Sequence, residues 1–170
     1  MRQSRESNKQ LPLIEPALIA TEADCDSKTD VIRQAAALLQ QAGRIRQSHE
    51  LEHAIGLREA TASTGFGHGF AIPHCKSGTV RADSLVILKL RNPVDWGSID
   101  HLPVQLVILM AVRDDAPPEA HLKILAQLAR RVMDENFRER LASESDPAAL
   151  CAFLKASLSH STDGLAGTMQ

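Results

Sequence analysis

His74 follows Pro73 directly and closes the run Gly65-Phe66-Gly67-His68-Gly69-Phe70-Ala71-Ile72-Pro73-His74. A neutral imidazole keeps a lone pair near pH 7, so a histidine held in one place can serve as a nucleophile. Pro73 fixes its own φ and pushes Ile72 into an extended conformation. The sequence therefore presents His74 at a stiff strand end. Gly65, Gly67 and Gly69 allow backbone conformations closed to other residues and let another surface come close.

Three more side chains offer chemistry, each with a plainer alternative. Cys75 is a second nucleophile type, but in an extended segment it points away from His74, which favours a packing role. His121 shares a helical face with Leu125, Leu128 and Val132. It is either a hydrogen-bonded core histidine or, in the first turn after Pro117-Pro118, a group at an anion-friendly helix start. Arg58 ends a helix shortly before the glycine run. It is either a solvated dipole partner or a bidentate grip for phosphate oxygens. His68 and His74 have a poor metal spacing, and no metal or bound cofactor is expected. No GxxxxGK[ST], complete GxGxxG, HExxH or GxSxG occurs.

The elements that must hold these residues are legible from period and punctuation. Ala17-Leu18-Ile19-Ala20 reads as a short strand or extended entry. Ser27 to Asp30 reads as a helix cap, opening a helix with Val31, Ala35, Leu38 and Leu39 on one face and Gly43 as its stop. A second helix covers about Ser48 to Glu59, with Leu51, Ile55 and Ala54 inward. The segments 84–90 and 104–112 are near-continuous apolar runs, the pattern of strands covered on both faces. Asn92-Pro93 and His101-Leu102-Pro103 read as turns between them. Helical spacing returns after Pro118, followed by shorter helices near 136–141 and 146–158. The link between the two apolar runs is too short for a helical crossover. The pattern predicts an α/β fold, a three-layer α/β/α sandwich on a central mixed sheet.

The 170 residues suit one domain, expected over 11–158 between polar tails at 1–10 and 159–170. A formal net charge of −2, no tyrosine, one tryptophan and four phenylalanines argue against a nucleic-acid binder. Cys25, Cys75 and Cys151 form no CxxC pair and suggest reduced thiols. The sequence begins with no apolar signal region, and its longest apolar run, Leu106 to Val112, cannot span a bilayer. A cytoplasmic location is expected.

The order Arg58-Glu59, Ser63-Thr64-Gly65, Gly67, Gly69, Ala71-Ile72-Pro73-His74 resembles the phosphohistidine motif of type-2 enzyme IIA domains. These belong to the fructose–mannitol family of the bacterial phosphoenolpyruvate-dependent sugar phosphotransferase system. The resemblance continues through Asp95-Trp96, Asp100, Pro103-Val104 and Leu106-Val107. It then takes in His121-Leu122, Leu125, Leu128-Ala129-Arg130, Phe137-Arg138 and Leu141, covering residues 12–158.

It implies that His74 accepts a phosphoryl group from the phosphohistidine of the carrier HPr and passes it to a cysteine of enzyme IIB. It also implies that Arg58 is the active-site arginine, that His121 is the supporting histidine, and that the fold is the same sandwich. Phe70, His101 and Arg113-Asp114 depart from the family's common residues, at places where partner recognition can change. Trp96 favours the fructose branch, and a nitrogen-type regulatory enzyme IIA is the alternative. No enzyme IIB or IIC sequence is expected within these residues, so the sugar itself is not read here.

Overall fold

The two long apolar runs pair with each other at the centre of the sheet. In the computed structural model, which describes residues 11–159, Ser84–Val94 runs antiparallel to Val104–Arg113, with Ile87 opposite Ile108 and Leu88 opposite Val107. Ser84 to Leu88 of the first and nearly all of the second are buried, because helices cover both faces there. In chain order the elements are β1 (Ile19–Ala23), α1 (Lys28–Gln41), α2 (Ser48–Thr61), β2 (Gly65–Gly67), β3 (Phe70–Ala71) and β4 (His74–Ser77). They continue as β5 (Ser84–Val94), β6 (Val104–Arg113), α3 (Pro118–Val132), α4 (Glu135–Ser143) and α5 (Pro147–Ser159).

The sheet order is β1-β5-β6-β3-β2, and β4 also pairs with β6, beyond β3. β1 joins β5 in parallel, β3 and β4 join β6 in parallel, and β2 joins β3 antiparallel. The predicted mixed sheet and three layers are both present. Alternate residues of the central strands feed two cores. Val86, Leu88, Val107 and Leu109 pack with Leu39, Leu51 and Ile55 of α1 and α2. Leu85, Ile87, Ile108 and Met110 pack with Leu128, Leu141 and Leu154 of α3, α4 and α5.

Local signals explain most boundaries. Ser27 Oγ accepts from the Asp30 backbone N–H at 3.1 Å, as the cap predicts. Asp30 reaches back to the Asp26 N–H at 3.1 Å rather than to that of Ser27. Gly43 stops α1 at φ 70°, a conformation costly for a side chain with a Cβ.

Three expectations need correction. The segment read as a strand from Ala17 begins instead as a 3-10 turn, Pro16–Leu18, because Pro16 sits at its N-terminal end, and β1 starts at Ile19. α2 continues to Thr61, past Glu59. Asn92-Pro93 is no turn. β5 runs through it to Val94, beyond a register shift where the missing proline N–H leaves no ladder bond broken. The tails expected at 1–10 and 159–170 lie outside the described residues, apart from Ser159, which ends α5. Among the described residues no helix is long and apolar enough to cross a membrane.

Candidate active site

β4 is short and lies at the sheet margin, where α2 and α3 approach from opposite layers. His74 opens this strand beside Met110 of β6, and the Met110 N–H donates to the Pro73 carbonyl at 2.9 Å. Proline thus terminates one ladder and starts the next with its carbonyl engaged. The ring is held as firmly as the backbone. His74 Nδ1 lies 2.9 Å from the Ile72 carbonyl oxygen. A carbonyl only accepts, so Nδ1 carries the proton and Nε2 presents the lone pair.

Arg58 from the last turn of α2 and His121 from the first turn of α3 meet His74 around a cavity of about 280 Å³. Lys76, Met110 and Val112 complete its main walls, and no acidic residue lines it. Sequence reading named three of these side chains separately, and the fold brings all three together. Arg58 Nη1 donates to the Ala62 carbonyl at 2.8 Å, which fixes the guanidinium at the helix end. None of the ion pairs among the described residues includes Arg58, His74, Lys76 or His121. The cavity is a cationic pocket with no acidic side chain in its lining.

His121 is half-buried. Its Nδ1 is covered and has no hydrogen-bond partner. Desolvation holds its pKa below the usual histidine value, helped by the positive potential of Lys76 and by His74, against the opposing Asp83. The free protein therefore favours a neutral His121 near pH 7. The plain reading of a satisfied core histidine does not fit a buried, unpartnered nitrogen on a residue that lines this cavity.

A buried polar network fixes the α2 end and the strand that follows. Glu59 pairs with Lys28 at 3.1 Å and accepts from the Thr64 hydroxyl and, at 3.3 Å, from the Thr64 N–H. Trp96 Nε1 donates to Thr64 Oγ1 at 3.1 Å, and Ser63 Oγ donates to the Trp96 carbonyl at 2.7 Å. Trp96 is 1 % exposed, and Lys28 lies over its ring. This tryptophan is therefore an internal strut.

The glycines also have an internal use. A Cβ on Gly65 would come within 3.0 Å of the Ser98 Cα, and one on Gly67 would meet the Asp100 carboxylate at 3.2 Å. The surface that comes close is the chain's own 97–103 loop. Asp100 tightens it, accepting from the His68 N–H at 2.9 Å and the Leu102 N–H at 3.1 Å. These bonds hold the Asp100 pKa down.

Cys75 packs against the α1–α2 core, and burial pushes its thiol up to about 12. A protonated thiol at neutral pH is a poor nucleophile. His68 lines a separate cavity of about 520 Å³ with Phe70, Lys89 and Arg138. Its cations are engaged with helix ends: Lys89 donates to the Ala142 and Glu144 carbonyls and Arg138 to that of Val132. The larger cavity is thus the less reactive one. Sequence reading missed Lys76. The signal was strand alternation, which puts residue 76 on the same side as residue 74.

The fold and site define an α/β/α domain that presents a fixed, unpartnered imidazole nitrogen in an anion-seeking pocket. Residues 12–157 match the family described as phosphoenolpyruvate-dependent sugar phosphotransferase system, EIIA 2, and the chain belongs to that family of phosphotransferase domains. It is 34% identical over 155 residues to multiphosphoryl transfer protein 2 of Escherichia coli K12, which covers 91% of this chain but 18% of that protein. The chain thus spans under a fifth of that relative's length. The nitrogen regulatory protein IIA-Ntr of Neisseria meningitidis superposes with a TM-score of 0.77 at 26% identity, over 86% of this chain and 96% of that one. Enzyme IIA for mannitol from Escherichia coli, solved in complex with phosphorylated enzyme IIB, shares the fold. Its TM-score is 0.66 at 22% identity, over 86% and 96% of the two chains.

Proposed function

We propose that His74 is a phosphoryl way station, charged by the phosphohistidine of HPr and discharged to a cysteine of an enzyme IIB partner. The observation that carries this reading is the free Nε2 of His74 in a cationic pocket lined by no acid. In the first transfer, Nε2 attacks phosphorus as the donor's N–P bond breaks, and that electron pair returns to the donor ring. Arg58 neutralises the equatorial oxygens and His121 donates a hydrogen bond to them, the main demand of a loose phosphoryl transition state. In the second transfer a thiolate attacks phosphorus and the pair of the new N–P bond returns to Nε2. The proton on Nδ1, held by the Ile72 carbonyl, lets His74 leave as neutral imidazole.

The enzyme IIB assignment draws support from the mannitol complex, whose enzyme IIA is paired with phosphorylated enzyme IIB. We place this activity in the cytoplasm, in one domain over 11–158, feeding sugar uptake of the fructose type. The second reading is nitrogen-type regulation by phosphorylation-dependent protein binding. It is favoured by the likeness to the Neisseria IIA-Ntr and by the burial of Trp96, which removes that side chain as a marker of the sugar branch.

A relay of phosphoenolpyruvate, enzyme I, HPr and this protein tests the common core. An acid-labile, alkali-stable phosphoryl group is expected on His74. Labelling that persists in His74→Ala sinks the assignment. Chasing the label onto an enzyme IIB cysteine separates transport from regulation.

A further inference from the structure

We propose that Lys76 is a third cationic arm of the site, its ammonium taking up the oxygens of a phosphoryl group carried on His74. This rests on His74 being the acceptor. β4 pairs His74 with Met110 and Lys76 with Val112, and all four residues line the same cavity. Two residues apart on a strand, His74 and Lys76 project from one face, about 7 Å apart along it. A lysine stem reaches across that gap with rotamers to spare.

Lys76 is exposed, and no hydrogen bond or ion pair anchors it elsewhere. Asp83, the acid whose charge also reaches His121, is already committed to the backbone N–H and side chain of Arg113. Lys76 lines the pocket with His121 and is close enough for its charge to disfavour the His121 cation. Arg58 Nη1 is tied to the Ala62 carbonyl, which restrains its guanidinium. Lys76 is the mobile donor, able to follow the oxygens as phosphorus moves onto and off Nε2.

The plain alternative is a surface lysine that steers an acidic partner. A small donor separates the two, because phosphoramidate phosphorylates histidine without a docking protein. With phosphoramidate, Lys76→Met is expected to label His74 about tenfold more slowly, while Lys76→Arg stays within about twofold of the parent. Lys155→Met, a surface lysine on α5, is expected to match the parent. In the phosphorylated protein, the phosphoryl pKa read by 31P NMR is expected to rise in Lys76→Met and return in Lys76→Arg. An unchanged phosphoramidate rate and 31P titration in Lys76→Met would overturn the proposal, as would a loss confined to the HPr reaction. Absence of label on His74 in the parent protein overturns the acceptor reading itself, and Lys76 with it.

Discussion

His74 and Cys75 are chain neighbours with opposite fates. Alternation along β4 sends the imidazole to the cavity and packs the thiol against the α1–α2 core, where Cys75 still borders the cavity. Desolvation then disfavours the thiolate. Cys75 is expected to resist iodoacetamide in the native protein at pH 7.5 and to react at once in denaturant, read by mass spectrometry. Immediate native alkylation of Cys75 would refute its packing against the α1–α2 core. His121 shows the opposite economy: burial of one nitrogen disfavours the cation. Its NMR titration midpoint is expected below 6.5. Because its folded-state pKa is depressed, the unfolded chain binds the proton more readily. This contribution to stability is therefore level above pH 6.5 and falls as pH drops through 6.5 toward the folded value.

At the scale of elements, the site depends on how α2 ends and how β2 begins. Glu59 gathers Lys28 and Thr64, Thr64 receives Trp96, and Arg58 holds the Ala62 carbonyl between them. Thr64→Val removes the shared hydroxyl and leaves both a buried carboxylate oxygen and the indole N–H without it. A loss of about 2 kcal/mol is expected in urea unfolding. Gly65→Ala drives a methyl into the Ser98 backbone, so the 97–103 loop must shift and Tm must fall. Ser27→Ala strips the α1 cap and is expected to cost about 1 kcal/mol by the same measurement.

At the scale of the molecule, one buried arginine ties the start of the domain to the sheet. Arg44 is fully buried. It donates to the Pro12 carbonyl at 2.7 Å and to Ser84 Oγ at 3.2 Å, and approaches Glu15 at 3.5 Å. Arg44→Met keeps volume but frees these partners, and about 3 kcal/mol is expected to go in denaturant unfolding. Phosphoramidate labelling of His74 should survive in the fraction that stays folded, since Arg44 is no part of the cavity lining.

Much of this architecture was legible in the chain. Segments 84–90 and 104–112 announce central strands because only strands covered on both faces tolerate such unbroken apolar runs. The proline before His74 announces a fixed ring position because its φ is set covalently. Asn92-Pro93 misled because a proline signals a turn only where the ladder needs its missing N–H, and the register shift in β5 lies in the pairing, not in the residues. The glycines told of close approach but not of what approaches. Only tertiary structure brought the 97–103 loop against them. The sequence by itself determined the two-core sandwich pattern and singled out His74 as the candidate nucleophile, since both follow from local period and covalent geometry. Tertiary structure alone decided that Arg58, Lys76 and His121 share one pocket with it. Their convergence depends on α2, β4 and α3 meeting at the margin of the sheet, a relation between elements distant in the chain.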